Sequence, residues 1–82
     1  MTEKEVIDGS KDRPDEWILW MGDRIDSLPD RDEALFRLGQ NLTAGGDAYG
    51  HETDFGVVYH AGRKIAAGTR DKVGGVHFER IR

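Results

Sequence analysis

The sequence contains no cysteine and only two prolines. Without cysteine, the chain can form no disulfide framework, no thiolate nucleophile and no cysteine-based zinc site. Long apolar runs are also absent, because the longest, residues 17–21, is far too short to span a membrane. The charged residues at the start of the chain lead into no apolar stretch, so the pattern of a secretory signal is missing. By elimination, we expect a cytoplasmic protein.

Apolar residues make up 37% of the 82 residues, and the 11 glycines bring the total close to that of an average globular domain. A chain of this length forms one small domain with a thin core. Residues 1–12 are polar and offer only Val6 and Ile7 for burial, so we expect a flexible N-terminal arm there. Residues 13–82 are then the single α+β domain.

Charge is distributed unevenly along the chain, whose net charge is −4 at pH 7. Residues 1–33 hold eleven acidic and five basic side chains, whereas residues 55–82 hold six basic and two acidic ones. An acidic first part favours association with a basic partner, because opposite charges steer the encounter. The simpler interpretation is that these charges only solvate the protein and form weak local ion pairs.

Residues 14–28 carry a pattern that fits two structures. Pro14 is typical of the first turn of a helix, and the acidic residues after it suit the positive end of a helix dipole. The apolar positions at helical spacing are Trp17, Met21, Ile25 and Leu28. The competing interpretation is a hairpin, with strands at 17–21 and 24–28, since the first of these segments is apolar and rich in tryptophan. We favour the helix.

A second helix is indicated by its start signals and its spacing. Pro29 interrupts the chain, and Asp30 with Glu33 resembles a capping box. The apolar positions at helical spacing are Ala34, Leu35, Leu38 and Leu42. Phe36 falls off this stripe and widens the apolar face. The pattern predicts a helix over residues 31–42.

Beyond a glycine-rich loop at residues 43–54, the hydrophobic period shortens to that of β-strands. We predict strands over residues 55–60, 64–69 and 76–81, and their short connections favour an antiparallel meander. The predicted fold class is therefore α+β, with one or two N-terminal helices packed on a small three-stranded antiparallel sheet. An unpaired edge of so small a sheet would allow a homodimer.

Glycines recur at intervals of six residues in the second half of the chain. They are Gly50, Gly56, Gly62, Gly68 and Gly74. Such a period can mark a hexapeptide β-helix. The residues between the glycines include charged side chains without a repeating pattern, which favours the meander with glycines at its turns.

The acidic residues between positions 15 and 33 are the most function-like feature of the sequence. With exposed tryptophans beside them, they would form a surface for a basic protein, since aromatic side chains anchor interfaces. The residues of this predicted partner-binding surface are Asp15, Glu16, Trp17, Trp20, Asp23, Asp26, Asp30 and Glu33. The leading hypothesis is a non-catalytic module that binds and modulates or inhibits a macromolecule and imitates nucleic acid. Phages and mobile elements encode small proteins of this kind, which is a fold-level analogy.

Two other functions stay open. A metal ion or a small enzyme site could use His51 and Asp54, with Asp47 and Glu52 in the same loop and with His60 or His77 as a further imidazole. The spacing in the loop matches no known metal signature, so we expect no metal and no cofactor. Single-stranded nucleic acid could bind a basic sheet that also holds Phe78. The basic side chains concerned are Arg63, Lys64, Arg70, Lys72, Arg80 and Arg82. An isoelectric point of about 5.2 argues against nucleic acid.

Overall fold

The computed structural model describes residues 2–21, 24–44, 55–71 and 75–80, which form two helices and five strands. In chain order, these elements are α1 (Glu3–Lys11), β1 (Trp17–Met21), β2 (Arg24–Leu28), α2 (Arg31–Ala44), β3 (Phe55–His60), β4 (Arg63–Arg70) and β5 (Val76–Arg80). The strands form one sheet in the order β2-β1-β3-β4-β5, and every neighbouring pair is antiparallel. The α+β class is as predicted, and the sheet has five strands instead of three.

The two additional strands come from residues 17–28, for which we favoured a helix. That prediction is wrong, and the competing hairpin is the observed structure. The reason is visible at Ile18 and Leu19, which are adjacent in sequence and both buried, but belong to clusters on opposite faces of the sheet. Alternating burial on two faces is the geometry of a strand covered on both sides, and a helix with one apolar stripe cannot produce it.

Each face of the sheet is covered by one helix. Leu19 and Val58 pack in the same cluster as Leu38 of α2, and we call this side of the sheet the α2 face. Ile18 and Tyr59 pack in the same cluster as Val6 of α1, and we call this side the α1 face. The molecule therefore has three layers, with β1 and β3 in the middle of the sheet buried from both sides.

Helix α1 lies where the sequence led us to expect a flexible arm. Thr2 caps it, because its side-chain oxygen accepts a hydrogen bond from the backbone N–H of Glu5 at 3.3 Å. Val6 and Ser10 are buried against the sheet. The Ser10 hydroxyl donates to the carbonyl of Ile7 and accepts from the N–H of Gly62, which ties the end of α1 to the β3–β4 turn. A helix with buried residues is at odds with an unstructured arm.

Helix α2 and the last three strands agree with the sequence analysis. The helix begins at the predicted residue and ends at Ala44, and the carboxylate of Asp30 accepts the backbone N–H of Glu33 at 2.7 Å. This bond is the predicted cap, in which a side chain satisfies one of the free N–H groups at a helix start. The three strands match their predicted positions within one residue at each end.

Two glycines sit beneath α2 in the middle of the sheet. Gly56 of β3 pairs directly with Gly68 of β4, so both point toward the same face. A Cβ atom at Gly56 would collide with the side chain of Leu38, and one at Gly68 would lie 2.6 Å from Cδ1 of Leu42. From the six-residue spacing we expected turns at these two glycines. That prediction is wrong, because both lie within paired strands. Only Gly62, with a φ of 82°, occupies a turn among the described members of that series.

Substituting either of these two glycines with alanine should destabilise the fold. We expect Gly56→Ala and Gly68→Ala each to lower the free energy of unfolding by about 1–3 kcal/mol, because the added methyl group forces α2 away from the sheet. Gly9→Ala is the matched control, since Gly9 lies in α1 with open space around it and should gain about 0.5–1 kcal/mol. Urea denaturation measures all three, and equal effects at the three positions would contradict the close approach.

Tyr59 brings a hydroxyl group into the core between α1 and the sheet. The residue is fully buried, and within the described part of the chain no atom completes a hydrogen bond to its oxygen. Burial, together with the charge of the nearby Glu3 carboxylate and its contact with the phenol, raises the pKa of Tyr59 to about 12. The folded state therefore holds this phenol in its neutral form more strongly than the unfolded chain does.

This pKa predicts a loss of stability in alkali. Because the folded pKa lies above the unfolded value near 10, the contribution of Tyr59 is fully present below about pH 10 and is lost as the pH rises towards about 12. Tyr59→Phe should be neutral or stabilising at pH 7, since it removes a buried hydroxyl without a partner. Denaturation of both proteins at pH 7 and above pH 10 measures the difference, and parallel pH profiles would refute the assignment.

Candidate interaction surface

One end of the sheet brings together two acidic segments of the chain. Trp17, at the start of β1, pairs with Leu28 at the end of β2 and with His60 at the end of β3. Residues 12–16, which precede β1, therefore lie at the same end as residues 29–33, which open α2. We call these two segments the acidic end. Its exposed carboxylates belong to Asp12, Asp15, Asp30 and Asp32.

Several of the predicted partner-binding carboxylates also hold the fold together. Asp30 caps α2, as described above, and the carboxylate of Asp26 accepts a hydrogen bond from Nε of Arg24 at 3.1 Å. Glu16 lies 3.7 Å from Nε of Arg13 and has one buried carboxylate oxygen. A carboxylate beside an arginine has part of its charge compensated, and one that caps a helix is already engaged by that hydrogen bond. The exposed Asp15 and Asp32 are therefore the better candidates.

The other two acidic residues predicted to bind a partner, Glu33 and Asp23, add little to the acidic end that the structure describes. Glu33 is half-buried in the first turn of α2, next to the cap. Asp23 lies outside the described residues, so its predicted role stays a prediction. Arg31, at the start of α2, is exposed among the acidic residues, and the acidic end is therefore not uniformly negative.

Trp17 borders the acidic end and is held rigidly. Its ring stacks on the imidazole of His60 with a centroid distance of 3.8 Å and an angle of 7° between the planes. The Nδ1 atom of His60 lies 3.0 Å from the carbonyl oxygen of Glu16, and because a carbonyl can only accept, Nδ1 carries the proton. This bond connects residues 12–16 to β3 and orients the imidazole ring on which Trp17 stacks.

Trp20 does not share that surface. It lies three residues further along β1, so its side chain points to the α1 face, whereas Trp17 points to the α2 face. Its ring meets the edge of Phe55 with a centroid distance of 5.5 Å and an angle of 84°. The sequence suggested both tryptophans as anchors of one surface, and the strand geometry separates them by the thickness of the sheet.

The most exposed aromatic side chains of the described residues are Phe36 and Phe78, which are 69% and 61% exposed. Phe36 follows Asp32 by one turn on the outer side of α2, where a shallow depression also includes Gly39 and Gln40. The signal for Phe36 was present in the sequence, since this residue lies off the buried stripe of α2. We predicted that Phe36 widens the apolar face of α2, whereas its side chain is exposed to solvent.

The residues behind the alternative functions are dispersed or lie outside the described structure. The loop with Asp47, His51, Glu52 and Asp54 is outside it, as are Lys72 and Arg82. In the part of the chain that the structure does describe, no three histidine or acidic side chains are close enough to hold a metal ion. His60 lies on the α2 face, whereas His77, which lies 3.1 Å from the carboxylate of Asp71, pairs with Thr69 on the α1 face.

The basic side chains that the structure describes do not form one row. Lys64 lies 3.8 Å from the carboxylate of Glu3, so α1 partly neutralises it. Arg63 and Lys64 are neighbours on β4 and point to opposite faces of the sheet.

Comparisons with protein-family models, with curated proteins and with solved structures found no match to this chain. No helix among the described residues is long and apolar enough to cross a membrane. The assignment of a function therefore depends on the surfaces of this chain alone.

The division of the acids into structural and exposed ones can be measured by stability. We expect Asp30→Ala to lower the free energy of unfolding by about 1 kcal/mol, because the N–H of Glu33 loses its acceptor. Asp32→Ala, two residues further along, should cost about 0.5 kcal/mol or less, since it removes only a favourable charge near the helix start. Thermal or urea denaturation compares the two, and an equal loss at both positions would show that Asp30 is not the cap.

Proposed function

We propose that this chain is a small, acidic, non-catalytic module of the cytoplasm that binds a protein with a basic surface and modulates or inhibits it. The observation that carries the proposal is the meeting of residues 12–16 and 29–33 at one end of the sheet. These segments are separated in sequence by the whole β1–β2 hairpin. Because the fold joins them, their carboxylates act on a partner as one field.

The chemistry beside the acidic end supports a protein partner. Trp17 offers a half-buried aromatic ring that the stack with His60 already immobilises. A side chain that is fixed before binding loses little conformational entropy when the complex forms. Aromatic anchors surrounded by polar or charged residues are the common arrangement at protein interfaces.

The outer side of α2 extends this surface. Asp32, Phe36 and Gln40 follow each other at intervals of four residues, and all three are exposed. The acidic end therefore continues along α2 into an exposed phenyl ring. A partner that fits this arrangement presents cationic side chains to the start of α2 and an apolar side chain to Phe36.

The proposed mode of inhibition follows from the same arrangement. Carboxylates on a rigid scaffold can occupy the basic groove with which a nucleic-acid-binding protein contacts phosphates. Occupation of that groove would exclude its nucleic acid by direct competition. Salt should weaken such a complex, since much of the attraction is between exposed charges.

Charge reversal at the acidic end tests the proposal. Asp15→Lys and Asp32→Lys should each reduce recovery of the bound protein by about tenfold at low salt, because each places a cation against a basic surface. Asp8→Lys is the matched control, since Asp8 is also exposed but lies on α1, on the other side of the sheet. The measurement is a pull-down with the tagged chain from nuclease-treated lysate, quantified by mass spectrometry after circular dichroism has shown that each variant folds.

The possible outcomes separate the alternatives. Retention of a stoichiometric partner by both acidic-end variants would refute the proposed surface. Recovery from untreated lysate that disappears after nuclease treatment would indicate nucleic acid instead of a protein. Equal losses with all three variants would show that net charge, and not the acidic end, governs binding.

A further inference from the structure

The outermost strand β5 has one side without a described partner. In the described structure, β5 pairs with β4 and no strand follows it in the sheet. His77, Phe78 and Glu79 in the middle of β5 are all exposed. An edge strand offers a row of free N–H and C=O groups to any strand that can align with it.

Phe78 is fixed against the molecule on its inner side and open on its outer side. Cβ atoms built at Gly39 of α2 and at Gly68 of β4 would lie 3.5 Å and 3.3 Å from its ring carbons. The ring therefore lies over two positions without side chains, while 61% of the residue stays exposed. An exposed aromatic ring beside an open strand edge has the chemistry of an interface anchor.

The sequence of β5 is complementary to itself when two copies run antiparallel. With a two-fold axis at Phe78, this residue faces its own equivalent, and His77 faces Glu79 of the second copy. The register of β4 and β5 places His77 and Glu79 on the α1 face and Phe78 on the α2 face. Cross-strand neighbours are then two phenyl rings on one face and two imidazole–carboxylate pairs on the other.

We propose that the chain forms a two-fold symmetric homodimer through antiparallel pairing of β5 with β5 of a second copy, centred on Phe78. The pairing joins two five-stranded sheets into one sheet of ten strands. It covers the outer side of Phe78, whose exposure on an isolated chain the fold leaves unexplained. The acidic ends lie on the far side of each copy from β5, because the sheet order puts β1 and β2 away from this edge. The acidic end and the β5 edge are therefore separate surfaces, although Phe78 lies beside Gly39 in the depression next to Phe36.

The test uses the oligomeric state of the full chain and variants of the self-complementary pair. Sedimentation equilibrium of the parent chain should show a dimer that dissociates on dilution. His77→Glu makes this pair all acidic, and the double variant His77→Lys with Glu79→Lys makes it all basic, so each alone should dimerise at least about tenfold more weakly. An equimolar mixture of the two should restore the dimer as a heterodimer, since every lysine then faces a glutamate. Both positions are exposed, but His77→Glu also places a carboxylate beside that of Asp71, so circular dichroism must first show that each variant folds.

Ser27→Glu is the control, because Ser27 is an exposed residue of β2 at the opposite edge of the sheet. It adds the same charge as His77→Glu and should leave the dimer unchanged. A parent chain that stays monomeric up to about 1 mM would overturn the proposal. Two other results would also overturn it, namely a dimer that Ser27→Glu breaks and β5 variants do not, or a mixture of β5 variants that stays monomeric. Co-purification of a different polypeptide bound at Phe78 in place of a second copy would overturn it as well.

Discussion

Helix α2 can lie against the sheet only because two glycines face each other beneath it. Gly56 near the start of β3 and Gly68 in the second half of β4 leave room, and Leu38 and Leu42 fill that room from above. Both leucines are fully buried, which a thin core of this size requires of its few large apolar side chains. The depth of α2 and its alignment with β3 and β4 follow from this contact.

The same contact positions both surfaces that carry our proposals. Because α2 is fixed at its centre, its capped start is held beside the turn that precedes β1, and the acidic end is formed there. Further along, Gly39 of α2 and Gly68 of β4 leave space for the ring of Phe78 to lie across them. The two glycines thus determine where the ring of Phe78 lies on the surface. Helix α2, which packs on Gly56 and Gly68, therefore contributes both to the acidic end and to the surface around Phe78 at the β5 edge.

The parts of the fold that depend on local signals could be predicted from the sequence. Helix α2 has a capping aspartate and a regular apolar stripe, and the last three strands are separated by short turns, so neighbouring residues alone define them. The hairpin at residues 17–28 could not be decided in this way, since its apolar positions fit a helix face equally well. What decides it is burial on two faces at Ile18 and Leu19, which depends on elements elsewhere in the chain. Helix α1 likewise depends on a distant contact, because the hydrogen bond that ties its end to the sheet joins Ser10 to Gly62, 52 positions apart.

The candidate site could be predicted in composition but not in arrangement. The acidic residues of the first 33 positions are evident in the sequence, and four of them lie exposed at one end of the sheet, namely Asp12, Asp15, Asp30 and Asp32. The roles of Asp26 and Asp30 depend on an arginine and a helix start that only the folded chain brings into place. The separation of Trp17 and Trp20 follows from strand geometry, because side chains three residues apart in a strand point to opposite faces.

The most direct test of the account is hydrogen–deuterium exchange of the chain, alone and bound to the partner it captures, read peptide by peptide. Our account predicts that binding slows exchange at residues 12–16 and 29–36, where the acidic end continues into Phe36, and leaves the α1 face near Trp20 and Phe55 unchanged. Unchanged exchange at both of these segments, with protection appearing elsewhere in the chain, would contradict the central claim that the acidic end is the interaction surface.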